Sequence, residues 1–176
     1  MASGNVLGTF YAQGGDLMSS MPNGVACIDK IYQNGDKRKL FKFTPSRLVD
    51  GVLPLDFVLP DTYGATTGLT FKIHWFIEGP PPDTGAVRWE IKAYPITVNS
   101  TDLSNPTYGT ADLVTTTIPT VADTGRVSTI TMVKAHFSSA AAGTQVRFLL
   151  TRKSATDVLD TSNCVALVNA VVILET

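Results

Sequence analysis

The sequence predicts an all-β protein whose short strands form a β-sandwich or a β-barrel. Glutamate occurs only three times, whereas Thr, Val, Gly and Pro are abundant, and this composition favours strands and turns over helices. Apolar and polar side chains alternate with a period of two in short blocks, which is typical of half-buried strands. Turn-forming pairs such as Asn-Gly and Asp-Gly separate these blocks at intervals of about a dozen residues, as in sandwiches and barrels.

The clearest strands lie at 69–78 and 85–98, and each block has one apolar face. Trp75 and Trp89 fall on those apolar faces, so we expect both indoles in the core. The segment between the blocks contains Pro80-Pro81-Pro82, which cannot continue a strand because proline lacks an amide donor. We therefore predict a hairpin whose two strands are joined by a stiff, outward-facing loop.

Eight further blocks bounded by turn residues are also predicted to be strands. They lie at 6–12, 25–32, 37–44, 52–59, 111–118, 127–137, 145–153 and 164–175. Residues 1–45 are richer in Gly and Asn than residues 46–176, so we predict an N-terminal extension followed by a sandwich over 46–176. The extension is either an arm or a set of added strands. A hairpin predicted over 25–44, around Asn34-Gly35, favours added strands.

The charge balance argues against partners that are held by bulk electrostatics. The chain has 14 basic and 15 acidic residues and a net charge of −1, so we expect no nucleic-acid partner and no membrane partner. No uninterrupted apolar run is long enough to span a membrane, and the N-terminus lacks the features of a signal peptide. We therefore expect synthesis without export. In a reducing cytoplasm Cys27 and Cys164 are expected to be free thiols.

No pattern of residues indicates a nucleophile, a metal site or a cofactor. His74 and His136 fall on the polar phase of predicted strands, and no Gly-x-Ser-x-Gly motif accompanies them. Phosphate loops, dinucleotide fingerprints and zinc-type Cys pairs are absent from the sequence. The segment 157–163 contains oxygen ligands without the spacing of a calcium loop. A turn that bonds its own backbone is favoured there, and a structural calcium ion stays open.

Glu78 and Glu90 flank the predicted hairpin, and such a carboxylate pair would suit glycoside hydrolysis. The same polar strand faces carry Lys72, Arg88 and Lys92. Cross-strand ion pairs are therefore the simpler explanation for the two glutamates. We predict that the protein is not an enzyme and has no catalytic residues.

One order of strands and turns extends over most of the chain. An apolar strand ends in a Pro-Asp-Thr-Tyr-Gly turn at 60–64, and Leu-Thr-Phe-Lys-Ile-His-Trp-Phe follows at 69–76. Gly-Ala-Val-Arg-Trp-Glu-Ile lies at 85–91, and a strand from 143 to 152 precedes the pair Asp160-Thr161. This order resembles the jelly-roll virion proteins of tailed bacteriophages, which include capsid decoration (cement) proteins and domains of tail fibres. The resemblance covers about residues 50–176.

The resemblance implies an antiparallel β-sandwich of jelly-roll type with an N-terminal extension. It further implies a capsid decoration protein that contacts the major capsid protein and itself, as a homotrimer, on the surface of a virion assembled in the host cytoplasm. One alternative in the same phage setting is a tail-fibre or receptor-binding domain, and an alternative from another class is a carbohydrate-binding β-sandwich module. A hydrolase is the remaining alternative, and it would depend on Glu78 and Glu90.

The predicted contact residues fall into three groups: apolar residues near the N-terminus, one basic run, and aromatic residues on otherwise polar strand faces. An apolar side chain on a polar strand face is typical of a protein interface. The basic run is either a solvated strand face or a partner contact. The three groups are Val6, Leu7, Phe10 and Tyr11; Lys37, Arg38 and Lys39; and Phe76 and Tyr94.

Overall fold

A computed structural model of the protein describes residues 4–12, 25–31, 35–46, 48–64, 68–78, 85–96, 106–121, 123–138, 140–155 and 157–176. These residues form ten strands and one short 3₁₀ helix, Lys134–Phe137. The strands are β1 (Val6–Tyr11), β2 (Val25–Ile31), β3 (Lys37–Phe43), β4 (Gly51–Val58), β5 (Leu69–Ile77), β6 (Ala86–Ile96), β7 (Asp112–Thr117), β8 (Arg126–Met132), β9 (Gln145–Arg152) and β10 (Ala166–Glu175).

The strands form two antiparallel sheets, which confirms the predicted all-β sandwich. One sheet has six strands in the order β2-β3-β10-β5-β8, with β1 also paired to β10. The other has four strands in the order β4-β9-β6-β7. From β3 to β10 the chain crosses repeatedly between the sheets, and eight strands in this order make a jelly roll. The strands β1 and β2 are additional members of the six-stranded sheet.

The core lies between the two sheets and is built from the inward phase of each strand. Trp75 of β5 and Trp89 of β6 are at most 1% exposed, and their rings meet edge to face with centroids 5.9 Å apart. Phe71 and Phe148 make a similar contact across the sheets at 4.9 Å. Edge-to-face pairs of this kind stabilise by about 0.5–1.5 kcal/mol beyond the area they bury. The prediction that both indoles are core residues is therefore confirmed.

The predicted hairpin between the two tryptophan strands is wrong. β5 pairs with β10 and β8, whereas β6 pairs with β7 and β9 in the opposite sheet. Period-two alternation places each indole toward the core whether the two strands are neighbours in one sheet or lie in facing sheets. The connecting residues 79–84, including the three prolines, lie outside the described residues.

The N-terminal strands pair with the six-stranded sheet at one edge of β10. β1 pairs with the second half of β10, from Ala170 to Leu174, and β3 pairs with the first half, from Ala166 to Val168. β2 and β3 are antiparallel neighbours over seven residue pairs, so the hairpin predicted around Asn34-Gly35 is confirmed. Gly35 has a φ of 86°, a left-handed conformation that suits the turn of such a hairpin.

Phe76 was expected to be exposed, and this is wrong. The outward phase of Phe76 was correct, but its side chain is only 7% exposed because it packs with Leu40 and Leu167 in a second, smaller core. The ammonium group of Lys30, on β2, lies 4.8 Å from the Phe76 ring centroid and also pairs with Asp123. Phe76 thus lies beside Leu40 of β3 and Leu167 of β10 on the outer side of the six-stranded sheet, and the Lys30 side chain extends over its ring.

The strand predicted at 127–137 ends earlier, at Met132. The following 3₁₀ helix turns the chain back and buries Phe137 completely, with Tyr63 as a neighbouring ring at 6.4 Å. It closes at Ser138, which has a left-handed φ of 54°. It is the one helix among the described residues, which therefore contain no helix long and apolar enough to cross a membrane.

Candidate functional site

The outer face of the four-stranded sheet carries a mixture of apolar, aromatic and charged side chains. The register places equivalent outward positions of β4, β9 and β6 side by side in rows. One row contains Asp56, Arg147 and Tyr94, and the next contains Pro54, Leu149 and Lys92. The third contains Val52, Thr151 and Glu90.

Asp56 and Arg147 form a two-point ion pair in the first row. The guanidinium donates from Nε to Oδ1 at 2.7 Å and from Nη2 to Oδ2 at 2.9 Å. The hydrogen bond to Asp56 raises the pKa of Arg147 above its ordinary value, so the guanidinium stays charged. The Arg147 side chain is 30% exposed and the Asp56 side chain is 44% exposed. The geometry is the planar fork that also recognises neighbouring oxygen atoms on a ligand.

Tyr94 and Tyr108 lie together beside this ion pair. Their ring centroids are 5.6 Å apart with a 51° tilt, and both side chains are half-buried. Burial raises the pKa of the Tyr108 phenol, and the nearby Arg147 charge opposes that shift. Tyr94, Tyr108, Asp56 and Arg147 therefore form one group, which we call the Tyr–Arg cluster.

Tyr108 is held in place by its neighbour Gly109. The Gly109 amide donates to the carbonyl oxygen of Ala93 at 2.9 Å, which extends the pairing along β6 beyond β7. A side chain at Gly109 would collide with the carbonyl oxygen of His136. The glycine therefore permits the close approach that brings the Tyr108 ring beside Tyr94. His136 is itself bonded from Nδ1 to Asp112 at 2.7 Å.

A groove of about 350 Å³ continues the outer face beyond the Tyr–Arg cluster. Val52 and Leu149 contribute apolar surface to it, and Leu48, which is 90% exposed, stands at its side. Its charged side chains are paired: Lys92 contacts Glu90 at 3.3 Å and Lys153 contacts Asp50 at 2.6 Å. The face thus combines exposed apolar area with polar groups that carry little net charge.

The residues predicted from the sequence do not converge on one site. Tyr94 belongs to the Tyr–Arg cluster, whereas the other predicted residues lie on the six-stranded sheet. On β1, Val6 and Tyr11 are about 60% exposed, while Leu7 and Phe10 pack against the main core. The three predicted basic residues of β3 are exposed, and Lys39 pairs with Asp29 at 3.0 Å. The other two are Lys37 and Arg38.

Three members of the Tyr–Arg cluster were not predicted from the sequence. Asp56 and Arg147 are outward residues of alternating strands, but their pairing depends on the β4–β9 register. Tyr108 precedes a glycine in a segment without period-two alternation. The only local signal was the Tyr-Gly pair itself, since a glycine often marks a close approach between backbones.

The groups weighed for catalysis and metal binding are dispersed. Glu78 pairs with Lys42 at 2.9 Å on the outer side of the six-stranded sheet, and Glu90 lies on the opposite side of the sandwich. In the segment 157–163, Asp157 pairs with Arg88 and Asp160 pairs with Arg152. The described residues contain no group of three His, Cys, Asp or Glu side chains suited to a metal ion.

Both cysteines are free thiols, as expected. Cys164 is buried and Cys27 is partly buried, and burial raises the pKa of the Cys27 thiol above its ordinary value. A thiol of this kind is a weak nucleophile because it is the thiolate that reacts. Cys27 lies in β2 and Cys164 lies just before β10. Both therefore behave as small apolar residues.

Comparison with known proteins finds solved structures with a similar fold. No family model and no curated protein matches the chain. The CBM22-2 xylan-binding domain of Xyn10C from Paenibacillus barcinonensis matches with a TM-score of 0.51 and 15% identity, over 97% of this chain and 99% of that domain. An exo-β-agarase matches with a TM-score of 0.51 and 8% identity, over 97% of this chain and 25% of the agarase.

A third match is an arabinose-bound α-L-arabinofuranosidase, MgGH51, with a TM-score of 0.50 and 9% identity. It covers 98% of this chain and 27% of the arabinofuranosidase. The chain thus matches a whole binding domain in one case and about a quarter of an enzyme in the other two. At these identities the likeness concerns the fold alone, and this chain shares with the three proteins an antiparallel β-sandwich.

Proposed function

We propose that the protein is a non-catalytic module that binds an uncharged polysaccharide on the outer face of its four-stranded sheet. The Tyr–Arg cluster carries this proposal. An aromatic ring offers an apolar surface to the C–H side of a sugar ring, and it keeps a polar hydroxyl at its edge. The fork of Asp56 and Arg147 offers both acceptors and donors to neighbouring sugar hydroxyls. Tyr94 and Tyr108 stand next to that fork.

The charges on this face favour an uncharged ligand. Asp56 is paired with Arg147, Glu90 with Lys92, and Asp50 with Lys153. Each pair contributes hydrogen-bond donors and acceptors but no net charge. An anionic or cationic polymer would need an excess of the opposite charge, and the described part of this face has none.

The length of the face suits an extended chain of several sugar units. The outward positions run along β6 from Tyr94 through Lys92 to Glu90, and Lys153 lies one row further. At roughly 3.3 Å per strand residue, this span is about 20 Å. The groove supplies apolar surface along the part that contains Lys92, Glu90 and Lys153. Paired charges occur both there and in the Tyr94 row. A single sugar would leave most of that surface uncovered.

The separation of Glu78 from Glu90 supports the non-catalytic part of the proposal. A glycosidase holds two carboxyl groups across one scissile bond, at most about 10 Å apart. Glu78 and Glu90 lie on opposite sides of the sandwich, and each is paired with a lysine. The whole-domain fold likeness to the xylan-binding CBM22-2 domain fits a binding module.

Affinity electrophoresis in gels that contain single polysaccharides tests the proposal. The panel should contain uncharged polymers, such as xylan, arabinan, agarose and mixed-linkage glucan, and anionic polymers, such as polygalacturonate and a sulfated galactan. We expect at least one uncharged polymer to retard the protein, with little change on adding salt. Tyr94→Ala should abolish the retardation, whereas Tyr11→Ala, on the exposed side of β1, should not. Equal migration in every gel, or retardation unaffected by Tyr94→Ala, would overturn the proposal.

A virion decoration protein is the second candidate, and the exposed side chains of β1 favour it. Val6 and Tyr11 are 63% and 59% exposed on a strand that pairs only with β10 among the described strands. Such a strand can adhere to a capsid protein or to further copies of the chain. Light scattering discriminates the two candidates: a stable trimer that binds capsids favours decoration, and a monomer at all concentrations contradicts it.

A further inference from the structure

A second cavity opens at one end of the sandwich, apart from the proposed polysaccharide face. It has a volume of about 360 Å³ and shares no lining residue with the groove on the four-stranded sheet. Its walls come from three separate parts of the chain: the segment after β3, the segment after β9 and the approach to β10. Ser46, Ser154, Thr161 and Ser162 contribute hydroxyl groups from these three segments.

Each of the four hydroxyl oxygens accepts a hydrogen bond from a backbone amide. Ser154 Oγ accepts from the Ser46 amide at 3.2 Å, and Ser46 Oγ accepts from the Leu48 amide at 3.1 Å. Thr161 Oγ1 accepts from the Ala86 amide at 3.0 Å, and Ser162 Oγ accepts from the Cys164 amide at 3.1 Å. These bonds fix the position of each oxygen and leave its hydroxyl proton to be donated. Ser46 Oγ also accepts from the Val49 amide at 3.3 Å, and in none of these bonds does a hydroxyl act as the donor.

The bottom of the cavity holds no spare charge. Asp160 lines it and is paired at two points with Arg152, and both side chains are at most 1% exposed. The remaining guanidinium donors of Arg152 go to the carbonyl oxygens of Cys164, Ser162 and Phe43. An ionic ligand would therefore find no counter-charge. A neutral ligand with several oxygen atoms would satisfy the four hydroxyl donors without one.

We propose that this cavity binds one neutral sugar unit, as a binding site separate from the outer face of the four-stranded sheet. Its volume lies at the lower end of the range for small-molecule sites. The sugar oxygens would accept from the hydroxyls of Ser46, Ser154, Thr161 and Ser162. The sugar is either a free monosaccharide or the terminal unit of a glycan chain. The site does not depend on the polysaccharide face, so each stands or fails by its own test.

Chemical-shift mapping of the ¹⁵N-labelled protein tests the proposal. Xylose, arabinose, galactose and glucose are added singly, and each matching oligosaccharide is added in a second series. We expect at least one monosaccharide to shift the amides at 46, 154 and 160–163 in a saturable manner. A shift with both ligands identifies a site for terminal units as well, and a shift with the monosaccharide alone restricts the site to free sugars. Saturable shifts confined to the surroundings of Tyr94 and Tyr108, or no shifts at all, would overturn the cavity site.

Two variants connect the shifts to the hydroxyl groups. Ser154→Ala removes one donor at the wall, and we expect about tenfold weaker monosaccharide binding, the equivalent of one lost hydrogen bond. Tyr94→Ala is the matched control and should leave monosaccharide binding in the cavity unchanged. The ¹⁵N spectrum shows whether each variant is folded. If Ser154→Ala is folded and binds like the wild type, its hydroxyl does not contact the sugar and the proposed arrangement is wrong.

Discussion

Arg152 of β9 and Asp160 form a two-point ion pair that is closed to solvent. The guanidinium donates from Nε to Oδ2 at 3.1 Å and from Nη2 to Oδ1 at 3.0 Å. The same group donates to the carbonyl oxygen of Cys164 at 2.6 Å, just before β10, and to that of Phe43 in β3. Since β9 belongs to one sheet and β3 and β10 to the other, Arg152 connects the two sheets at this end of the sandwich.

Replacing Arg152 should therefore destabilise the fold strongly. Arg152→Met leaves Asp160 buried without its partner, and we expect a loss of about 3–5 kcal/mol in the free energy of unfolding. Urea titration measures that loss. Arg147→Met breaks the exposed pair with Asp56 and should cost at most about 1 kcal/mol. Similar losses for both variants would contradict a special role for the buried pair.

The two core tryptophans should respond differently to the same substitution. Trp75 Nε1 donates to Ser128 Oγ at 2.8 Å, whereas Trp89 Nε1 is buried without a hydrogen-bond partner among the described residues. Trp75→Phe removes a hydrogen bond that the folded protein makes. Trp89→Phe removes a donor that is desolvated without compensation. We expect Trp75→Phe to be the less stable variant by about 2 kcal/mol in urea titrations, and equal or reversed stabilities would contradict this.

Gly109→Ala should disturb the site more than the core. The added methyl group would collide with the His136 carbonyl oxygen, so the segment that carries Tyr108 must move away from β6. We expect polysaccharide retardation to be lost and the Tyr108 environment to change in near-ultraviolet circular dichroism. Gly125→Ala is the control, because a methyl group there meets nothing within 4 Å. Unchanged retardation in Gly109→Ala would show that the position of Tyr108 does not matter.

Phe76→Ala should affect stability and not an interface. The ring is almost fully buried beside Leu40 and Leu167 on the outer side of the six-stranded sheet. Its removal leaves a cavity, and we expect a loss of about 3–5 kcal/mol in the free energy of unfolding. Tyr11→Ala, at a ring that is 59% exposed, should lie within about 0.5 kcal/mol of the wild type. A Phe76→Ala protein as stable as Tyr11→Ala would contradict the burial of the Phe76 ring and favour an exposed contact residue.

Sequence patterns located the strands because alternation is a local property. All ten strands begin within two residues of their predicted starts, and both indoles lie in the core as expected. Alternation does not indicate which strand is the hydrogen-bonded neighbour in the sheet, however. Trp75 and Trp89 face the core whether β5 and β6 are paired or stacked, so the hairpin error followed from information that the pattern lacks.

The burial of a side chain by segments that are distant in the chain could not be predicted from the sequence either. Phe76 lies on the outward phase of β5, and side chains from β2, β3 and β10 cover it. The Tyr–Arg cluster has the same origin. Asp56 and Arg147 are 91 residues apart in the chain and become partners through the β4–β9 register. Tyr94 could be predicted because the alternation within its own strand shows that its side chain points outward.

The most direct test of the account is a calorimetric titration with an oligosaccharide from the polysaccharide that gives the strongest retardation. We expect saturable binding to the wild type, little dependence on salt, and loss of detectable heat in Tyr94→Ala/Tyr108→Ala with the fold intact. Binding of equal strength in that double variant would contradict the claim that the outer face of the four-stranded sheet is the site.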